Sequence, residues 1–177
     1  MSGRPPLWRA FESNEITHSG AHYLLAIAAC AESGTAPRAA DVARRLGVTR
    51  AAASLQLRKL HEHGLVEIDG QQRLRLSAAA VDLVARVASK REVLLVLLRD
   101  VLGVRRATAE VDACKVEHLL SEESGAALVR LIRFLRSGVP EAQACLESFR
   151  HTTAACPPGE RCELCTQSCL LAAGAAN

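Results

Sequence analysis

Residues 39–76 read AADVARRLGVTRAAASLQLRKLHEHGLVEIDGQQRLRL, and this stretch decides the fold. Its first part predicts a short helix over Ala40–Leu46, which Gly47-Val48-Thr49 interrupts. Thr49 is suited to cap a second helix that runs through His63, because a threonine hydroxyl accepts a hydrogen bond from the first helical turn. The order of helix, glycine-centred turn and helix is typical of a helix-turn-helix.

The second helix carries an apolar stripe and is followed by a hairpin. The residues at the spacing of a buried stripe are Ala53, Leu57 and Leu60. Gly64 ends this helix, and residues 65–68 and 73–76 then predict two strands. Asp69-Gly70 between them is a strong hairpin signal. The stretch as a whole therefore predicts a winged helix-turn-helix.

The composition agrees with a mainly α protein that has a small β wing. The chain has 177 residues, of which 49% are hydrophobic, and it contains only three Phe, one Trp and one Tyr. This content favours a folded, helix-rich protein with one small sheet. The net charge of +3 is mild, so a surface that attracts nucleic acid has to be a local patch.

Two further features predict a cytoplasmic protein. No stretch reaches the roughly 18 unbroken apolar residues of a membrane span, and the sequence starts without a charged-then-apolar leader. In a reducing compartment the seven cysteines are more readily interpreted as ligands of metals or clusters than as a disulfide framework.

Helical patterns flank the winged helix on both sides. We predict an arm over residues 1–16, a DNA-binding domain over 17–76, a helical dimerisation and metal-binding domain over 77–139, and a short helix with a cysteine-rich tail over 140–177. The long helix from Ser77 to about Leu102 contains six consecutive apolar residues, Val93–Leu98. Because a helix that is apolar on every side must be covered on every side, we expect a second copy of the chain to share it.

The remaining elements are predicted from periodicity. Helices are expected at about 18–31, 108–120, from Ser121 onward, and at 141–150. The helix after Ser121 has an apolar stripe formed by Leu128, Leu131, Ile132 and Leu135. Cys30 and Cys145 lie within helices and are interpreted as small core residues.

Cys114, Glu117 and His118 lie at positions i, i+3 and i+4 of a predicted helix. This spacing places a thiolate, a carboxylate and an imidazole on one face, and all three are metal-ligand types. The alternative is a partly buried cysteine beside a surface Glu-His pair, and spacing alone does not separate the two interpretations.

The run DACKVEHLLSEE at residues 112–123 follows LLRDVLG at 97–103 and a winged helix. This arrangement resembles the diphtheria toxin repressor family of metal-dependent regulators, with a likeness from about His18 to Leu135. The resemblance implies an N-terminal winged helix joined to a helical dimerisation domain. It also implies a homodimer in which metal bound between the two domains sets the geometry of the recognition helices.

The resemblance carries over a primary metal site of His22, Cys114, Glu117 and His118. This mixed N/S/O set suits Fe(II), Co(II), Ni(II) or Zn(II) better than Mn(II). The family's second site falls on Arg91, Leu95 and Glu110, which indicates that this site is lost. We therefore hypothesise that Arg91 pairs with Glu110, its fixed positive charge taking the place of the missing cation.

The tail contains four cysteines in the pattern C-x5-C-x2-C-x3-C. They are Cys156, Cys162, Cys165 and Cys169. Four thiols wound around one point favour an iron–sulfur cluster over a zinc site, because structural zinc more often joins two separated pairs. Zinc remains the alternative, and an exposed cluster on a short loop suits a sensor.

The recognition helix and wing supply candidate DNA contacts. Those on the helix are Thr49, Arg50, Ala51, Ser54 and Leu55 toward the bases, with Arg58 and Lys59 toward phosphates. Arg73 and Arg75 alternate on a wing strand, where they suit the backbone or minor groove; the other interpretation is a solvated strand face. Few of these residues are hydrogen-bonding readers, so DNA shape is expected to contribute.

These features predict a dimeric repressor that responds to a metal or an iron–sulfur cluster and binds palindromic double-stranded operator DNA. The alternative is a winged-helix iron–sulfur adaptor in ferrous iron transport that does not bind DNA. No nucleophile with a positioned base is evident, so the chain is not expected to be an enzyme.

Overall fold

A computed structural model describes residues 16–32 and 34–152 of the chain. The chain divides into two compact units, the first ending at Ile132 and the second starting at Arg133. Seven α-helices, one π-helical segment and two strands are described. In chain order they are α1 (His18–Ala31), α2 (Ala39–Leu46), α3 (Arg50–Glu62), β1 (Val66–Ile68), β2 (Leu74–Leu76), α4 (Ala78–Leu95), the π segment (Val96–Val101), α5 (Arg106–Val116), α6 (Glu122–Leu135) and α7 (Pro140–His151).

The predicted fold class is confirmed, because the described chain is mainly helical with one small sheet that forms the wing. Within the helix-turn-helix, Gly47 has φ 67°, a left-handed conformation that glycine adopts without strain. The Thr49 hydroxyl caps α3 as expected and accepts a hydrogen bond from the Ala52 amide at 3.2 Å. These local features explain why the chain turns sharply between α2 and α3.

One hydrophobic core joins α1 to the recognition helix. The predicted stripe of α3 is buried, and its members are Ala53, Leu57 and Leu60. They pack in the same cluster as Leu24 and Ile27 of α1 and as Leu83 and Val87 of α4. Because these side chains are close-packed, a constraint on the position of α1 is expected to constrain α3 as well.

The wing has shorter strands and a longer loop than the sequence predicts. β1 and β2 pair antiparallel with Val66 opposite Leu76 and Ile68 opposite Leu74. The left-handed residue of the loop is Gln72, with φ 60°, and not Gly70. The Asp69 carboxylate explains this geometry, because it accepts hydrogen bonds from the amides of Gln71 and Arg73 at 2.9 and 2.8 Å and so shapes the loop itself.

The long helix after the wing is continuous but changes its winding near the end. α4 passes into the π segment, where the Leu102 amide donates to the Leu97 carbonyl at 2.9 Å. Within the apolar run at 93–98, Leu94 is buried and the other five residues are half-buried in the single chain. The expectation that a second copy shares this surface stays a prediction.

Three details of the later helices differ from the predictions. α5 ends at Val116 and not near Leu120, with Glu117 as its C-cap residue. Leu131 is 45% exposed, because the buried positions of α6 are Ile132 and Leu135 and Leu131 falls at the edge of that stripe. Cys145 is exposed, so its interpretation as a core residue is wrong; it lies off the buried side of α7, on which Ala142 is found. Cys30 is half-buried.

No helix within residues 16–32 and 34–152 is both long enough and apolar enough to cross a bilayer.

Candidate functional site

Two helices bring histidine and cysteine side chains together. α1 supplies His18 and His22, which are four residues apart and therefore lie on one face of that helix. Cys114 near the end of α5 and His118 just beyond it have the same spacing. Thr17 caps α1 by accepting a hydrogen bond from the Gly20 amide at 3.1 Å, which holds the first turn that carries His18.

The donor atoms of these side chains lie at close range. The Nε2 atom of His22 is 3.2 Å from the Sγ atom of Cys114, and the Nδ1 atoms of His18 and His118 are 3.4 Å apart. One donor atom each from His18, His22 and Cys114 forms a group in which all separations are below 4.8 Å. We refer to His18, His22, Cys114 and His118 as the His/Cys cluster.

Partial burial lowers the pKa of two of these imidazoles and so favours their neutral form. Burial and the neighbouring His18 lower the pKa of His22, whereas Glu117 acts in the opposite direction. Burial, followed by His18 and His22, lowers the pKa of His118. A neutral imidazole has a free lone pair, and this is the form that binds metal.

Glu117, one of the predicted metal ligands, forms a buried ion pair with Arg91. Its side chain is 1% exposed, and its Oε2 atom accepts a hydrogen bond from Nη1 of Arg91 at 3.0 Å. Although burial acts to lower the pKa of Arg91, hydrogen bonds to Glu117 and Cys114 raise it above its ordinary value. Within the part of the chain that the structure describes, Oε1 of Glu117 is buried and has no hydrogen-bond partner.

The hypothesis that Arg91 pairs with Glu110 is wrong. Glu110 accepts a hydrogen bond from Nε of Arg106 at 2.8 Å, one turn earlier on the same helix. Arg91 instead pairs with Glu117. An unpaired charge costs more free energy on a buried carboxylate than on a half-exposed one, so the buried carboxylate is the one that is paired. Arg91 does place a fixed positive charge beside the metal-ligand candidates.

His18 is the member of the cluster that sequence reasoning missed. A signal for it was available, since the four-residue spacing from His18 to His22 repeats the spacing from Cys114 to His118. Two such pairs on two helices are a common way to surround one ion.

The donors in the cluster fit a divalent transition metal. Imidazole suits zinc, copper, iron and nickel, and thiolate favours the same softer ions over manganese or magnesium. Glu117, whose Oε1 atom is a buried acceptor without a partner among the described residues, acts electrostatically on His22. The residues present therefore agree with the iron or related metal that the family resemblance implies.

The predicted DNA contacts of α3 are all exposed. These residues are Thr49, Arg50, Ala51, Ser54, Leu55, Arg58 and Lys59. Arg75 of β2 is exposed as well. Arg73 is half-buried, and its Nη1 atom donates to the Ala36 carbonyl at 3.0 Å, so much of its guanidinium is occupied within the protein. These positions stay predictions as DNA contacts.

The four tail cysteines, Cys156, Cys162, Cys165 and Cys169, lie outside the described residues, as does the predicted arm apart from Ile16.

A winged helix joined to further helices that carry a His/Cys cluster is the arrangement expected of a metal-dependent transcriptional regulator. A family model described as "Iron dependent repressor, N-terminal DNA binding domain" matches residues 15–74. A second, described as "Iron dependent repressor, metal binding and dimerisation domain", matches residues 81–144. The chain belongs to the iron-dependent repressor family, and the resemblance to the diphtheria toxin repressors is confirmed.

Individual relatives agree with this assignment. The chain is 29% identical to the iron-dependent repressor IdeR of Mycobacterium tuberculosis over 119 residues, which cover 67% of this chain and 52% of IdeR. It is 27% identical to the diphtheria toxin repressor of Corynebacterium diphtheriae over 111 residues, which cover 63% and 49% of the two chains. The chain thus spans about half the length of these relatives. Both relatives are named as repressors.

The fold is also shared with solved structures. The metal-dependent transcriptional regulator MtsR superimposes with a TM-score of 0.61 at 24% identity, covering 67% of this chain and 55% of MtsR.

Proposed function

We propose that this protein is a dimeric, cytoplasmic, metal-responsive repressor that binds operator DNA. The observation that carries the proposal is the meeting of His22 on α1 with Cys114 on α5 at 3.2 Å. A metal bound there cross-links α1, which packs in the winged-helix core, to α5, which follows the wing.

We propose His22, Cys114 and His118 as metal ligands. Fe(II) is the favoured ion, because the matched family models and relatives are named for iron, and Co(II), Ni(II) and Zn(II) suit the same donors. When bound, the metal supplies a cross-link that favours whichever conformation brings these donors together, in proportion to its differential affinity for that conformation.

The packing explains how such a cross-link reaches DNA. Leu24 and Ile27 of α1 lie in the same core cluster as Leu57 and Leu60 of the recognition helix. Restricting α1 against α5 therefore restricts α3. In a dimer the two recognition helices must enter major grooves about 34 Å apart, so a small change in their orientation decides whether both bind.

The proposed dimer surface is the apolar run at 93–98, with Leu102 beyond it. Five of the six residues in this run are only half-buried in the single chain, and Leu102 is 44% exposed. The family model that covers this region is described as a dimerisation domain, which supports this surface as the contact between two copies.

Operator binding tests the proposal. We expect the protein to shift a labelled duplex from its own promoter in the presence of Fe(II) or Co(II), and chelation to release the duplex. Arg50→Ala should weaken this binding about tenfold or more, since one good contact from arginine to a base contributes about 1–3 kcal/mol.

Arg130→Ala is the matched control for charge, because Arg130 is an exposed arginine on α6, outside the recognition helix and the wing. Equal losses for Arg50→Ala and Arg130→Ala would show that only total charge matters. Failure of the parent protein to bind any duplex with either metal would favour the adaptor that does not bind DNA.

We further propose that Cys156, Cys162, Cys165 and Cys169 hold an iron–sulfur cluster, with zinc as the alternative. Their close spacing in the sequence supports this proposal. Protein prepared without oxygen should then be brown and contain iron and acid-labile sulfide, both of which Cys162→Ser should remove. Colourless protein that carries only zinc would exclude the cluster.

A further inference from the structure

We propose that His18 is the fourth ligand of the metal site, in the position that sequence reasoning assigns to Glu117. The inference rests on the proposed metal-binding function and specifies its ligands. It gives the site three imidazoles and one thiolate, a set that favours four-coordinate Zn(II), Co(II) or Fe(II) and disfavours Mn(II).

The separations between donor atoms fit His18 as a ligand of the same ion as His22 and Cys114, with His118 next to His18. With metal–nitrogen bonds of about 2.1 Å, neighbouring ligands in a tetrahedral site lie about 3.4 Å apart. The separation between the Nδ1 atoms of His18 and His118 is 3.4 Å, and that between Nε2 of His22 and Sγ of Cys114 is 3.2 Å. His18, His22 and Cys114 form the group of donors within 4.8 Å of one another; neither Glu117 nor His118 is in it, and His118 approaches the group through His18.

The ring contacts place His18 at the centre of this arrangement. Its ring centroid is 4.5 Å from that of His22, and the two rings are nearly perpendicular. The ring centroid of His118 lies 4.7 Å from that of His18, and these two rings are tilted by 45°. His18 thus contacts both the other histidine of α1 and the histidine just beyond α5.

Arg91 explains why Glu117 is displaced from the site. The guanidinium of Arg91 does not lose its proton, so Arg91 remains a donor to Oε2 of Glu117 at any pH at which the protein is folded. Glu117 can offer only the remaining oxygen, Oε1. Its charge is already balanced by Arg91, which weakens its attraction for a second cation. In this assignment Glu117 and Arg91 are charged neighbours of the ligands and are not ligands themselves.

Co(II) titration of the full chain tests this assignment without DNA. All proteins carry Cys162→Ser and Cys165→Ser, so that the tail cannot form a four-thiolate site. We expect the parent to show the intense visible bands of four-coordinate Co(II) and a thiolate charge-transfer band. His18→Gln should lower the Co(II) affinity at least about tenfold and weaken the visible bands, because water replaces the imidazole.

Two variants separate the possible ligand sets. Glu117→Gln should lower the affinity less than His18→Gln and keep the four-coordinate spectrum, since the glutamine oxygen can still accept a hydrogen bond from Arg91. His63→Gln replaces an exposed histidine at the end of α3 and should change nothing. Thermal unfolding of the metal-free variants checks folding; His18 is exposed in the first turn of α1, so His18→Gln should unfold at the parental temperature.

The inference is overturned if His18→Gln binds Co(II) like the parent, or if Glu117→Gln loses as much affinity as His18→Gln. Either result would leave a metal site in place and so would not affect the proposed function. Absence of any Co(II) site in the parent would instead overturn both, and binding of operator without metal would overturn the proposed function alone.

Discussion

Cys114→Ser is expected to abolish metal-stimulated operator binding and to lower the affinity for Zn(II) or Co(II) by at least about 100-fold. Cys114 supplies the thiol of the cluster, 3.2 Å from His22, and bridges α5 to α1. Serine has nearly the same shape but does not ionise near neutral pH, so the site loses its softest and most negative donor. Competition against a chromophoric chelator measures the metal affinity, and fluorescence anisotropy of a labelled duplex measures operator binding.

Cys145→Ser is the matched control, because Cys145 is an exposed cysteine on α7. It should change neither the metal affinity nor the response of DNA binding to metal. The contrary result would be a Cys114→Ser protein that still responds to metal while Cys162→Ser does not. The tail would then be the sensor, and the His/Cys cluster a relic of an ancestral site.

Arg91→Met is expected to lower the free energy of unfolding by about 3 kcal/mol. The side chain of Glu117 is 1% exposed, and Arg91 is the only cation that pairs with it among the described residues. Removing one partner of a buried pair leaves the other charge without compensation, which costs about 3–5 kcal/mol; the lower value applies because Arg91 itself is 37% exposed. Chemical denaturation of the metal-free protein measures the change.

Two controls identify the origin of this loss. The double variant Arg91→Met/Glu117→Leu removes both charges and should recover most of the stability, since an apolar pair of similar volume replaces a buried ion pair at little cost. Arg44→Met breaks an exposed pair with Asp41 and should cost less than about 1 kcal/mol. If Arg91→Met is no worse than Arg44→Met, the buried pair does not stabilise the fold.

Much of the fold could be predicted because its signals are local. The Thr49 cap, the glycine at 47 and the spacing of Ala53, Leu57 and Leu60 each act within one or two helical turns, and all three behave as expected. Cys114 and His118 were found for the same reason, since their four-residue spacing places them on one face of a helix.

The parts that could not be predicted depend on which elements meet. His18 becomes a candidate ligand only because the fold brings it next to His118, which is 100 residues away in the sequence. Spacing within one helix does not predict which other helix will lie beside it. The choice of Arg91 between Glu110 and Glu117 depends on the burial of each carboxylate, and sequence does not show burial at that level. Leu131 and Cys145 lie near the edge of an apolar face, where periodicity cannot tell buried from exposed.

The contact between Arg73 and Ala36 has a consequence for operator architecture. The hydrogen bond anchors the loop at the tip of the hairpin to the segment just before α2, and the backbones of Arg38 and Arg73 also form a bridge. These contacts restrain the hairpin against the segment before α2, and Arg75 is the exposed arginine of the wing. In the proposed dimer each wing then keeps its place beside its own recognition helix, so we expect that inserting a single base pair between the two half-sites weakens operator binding.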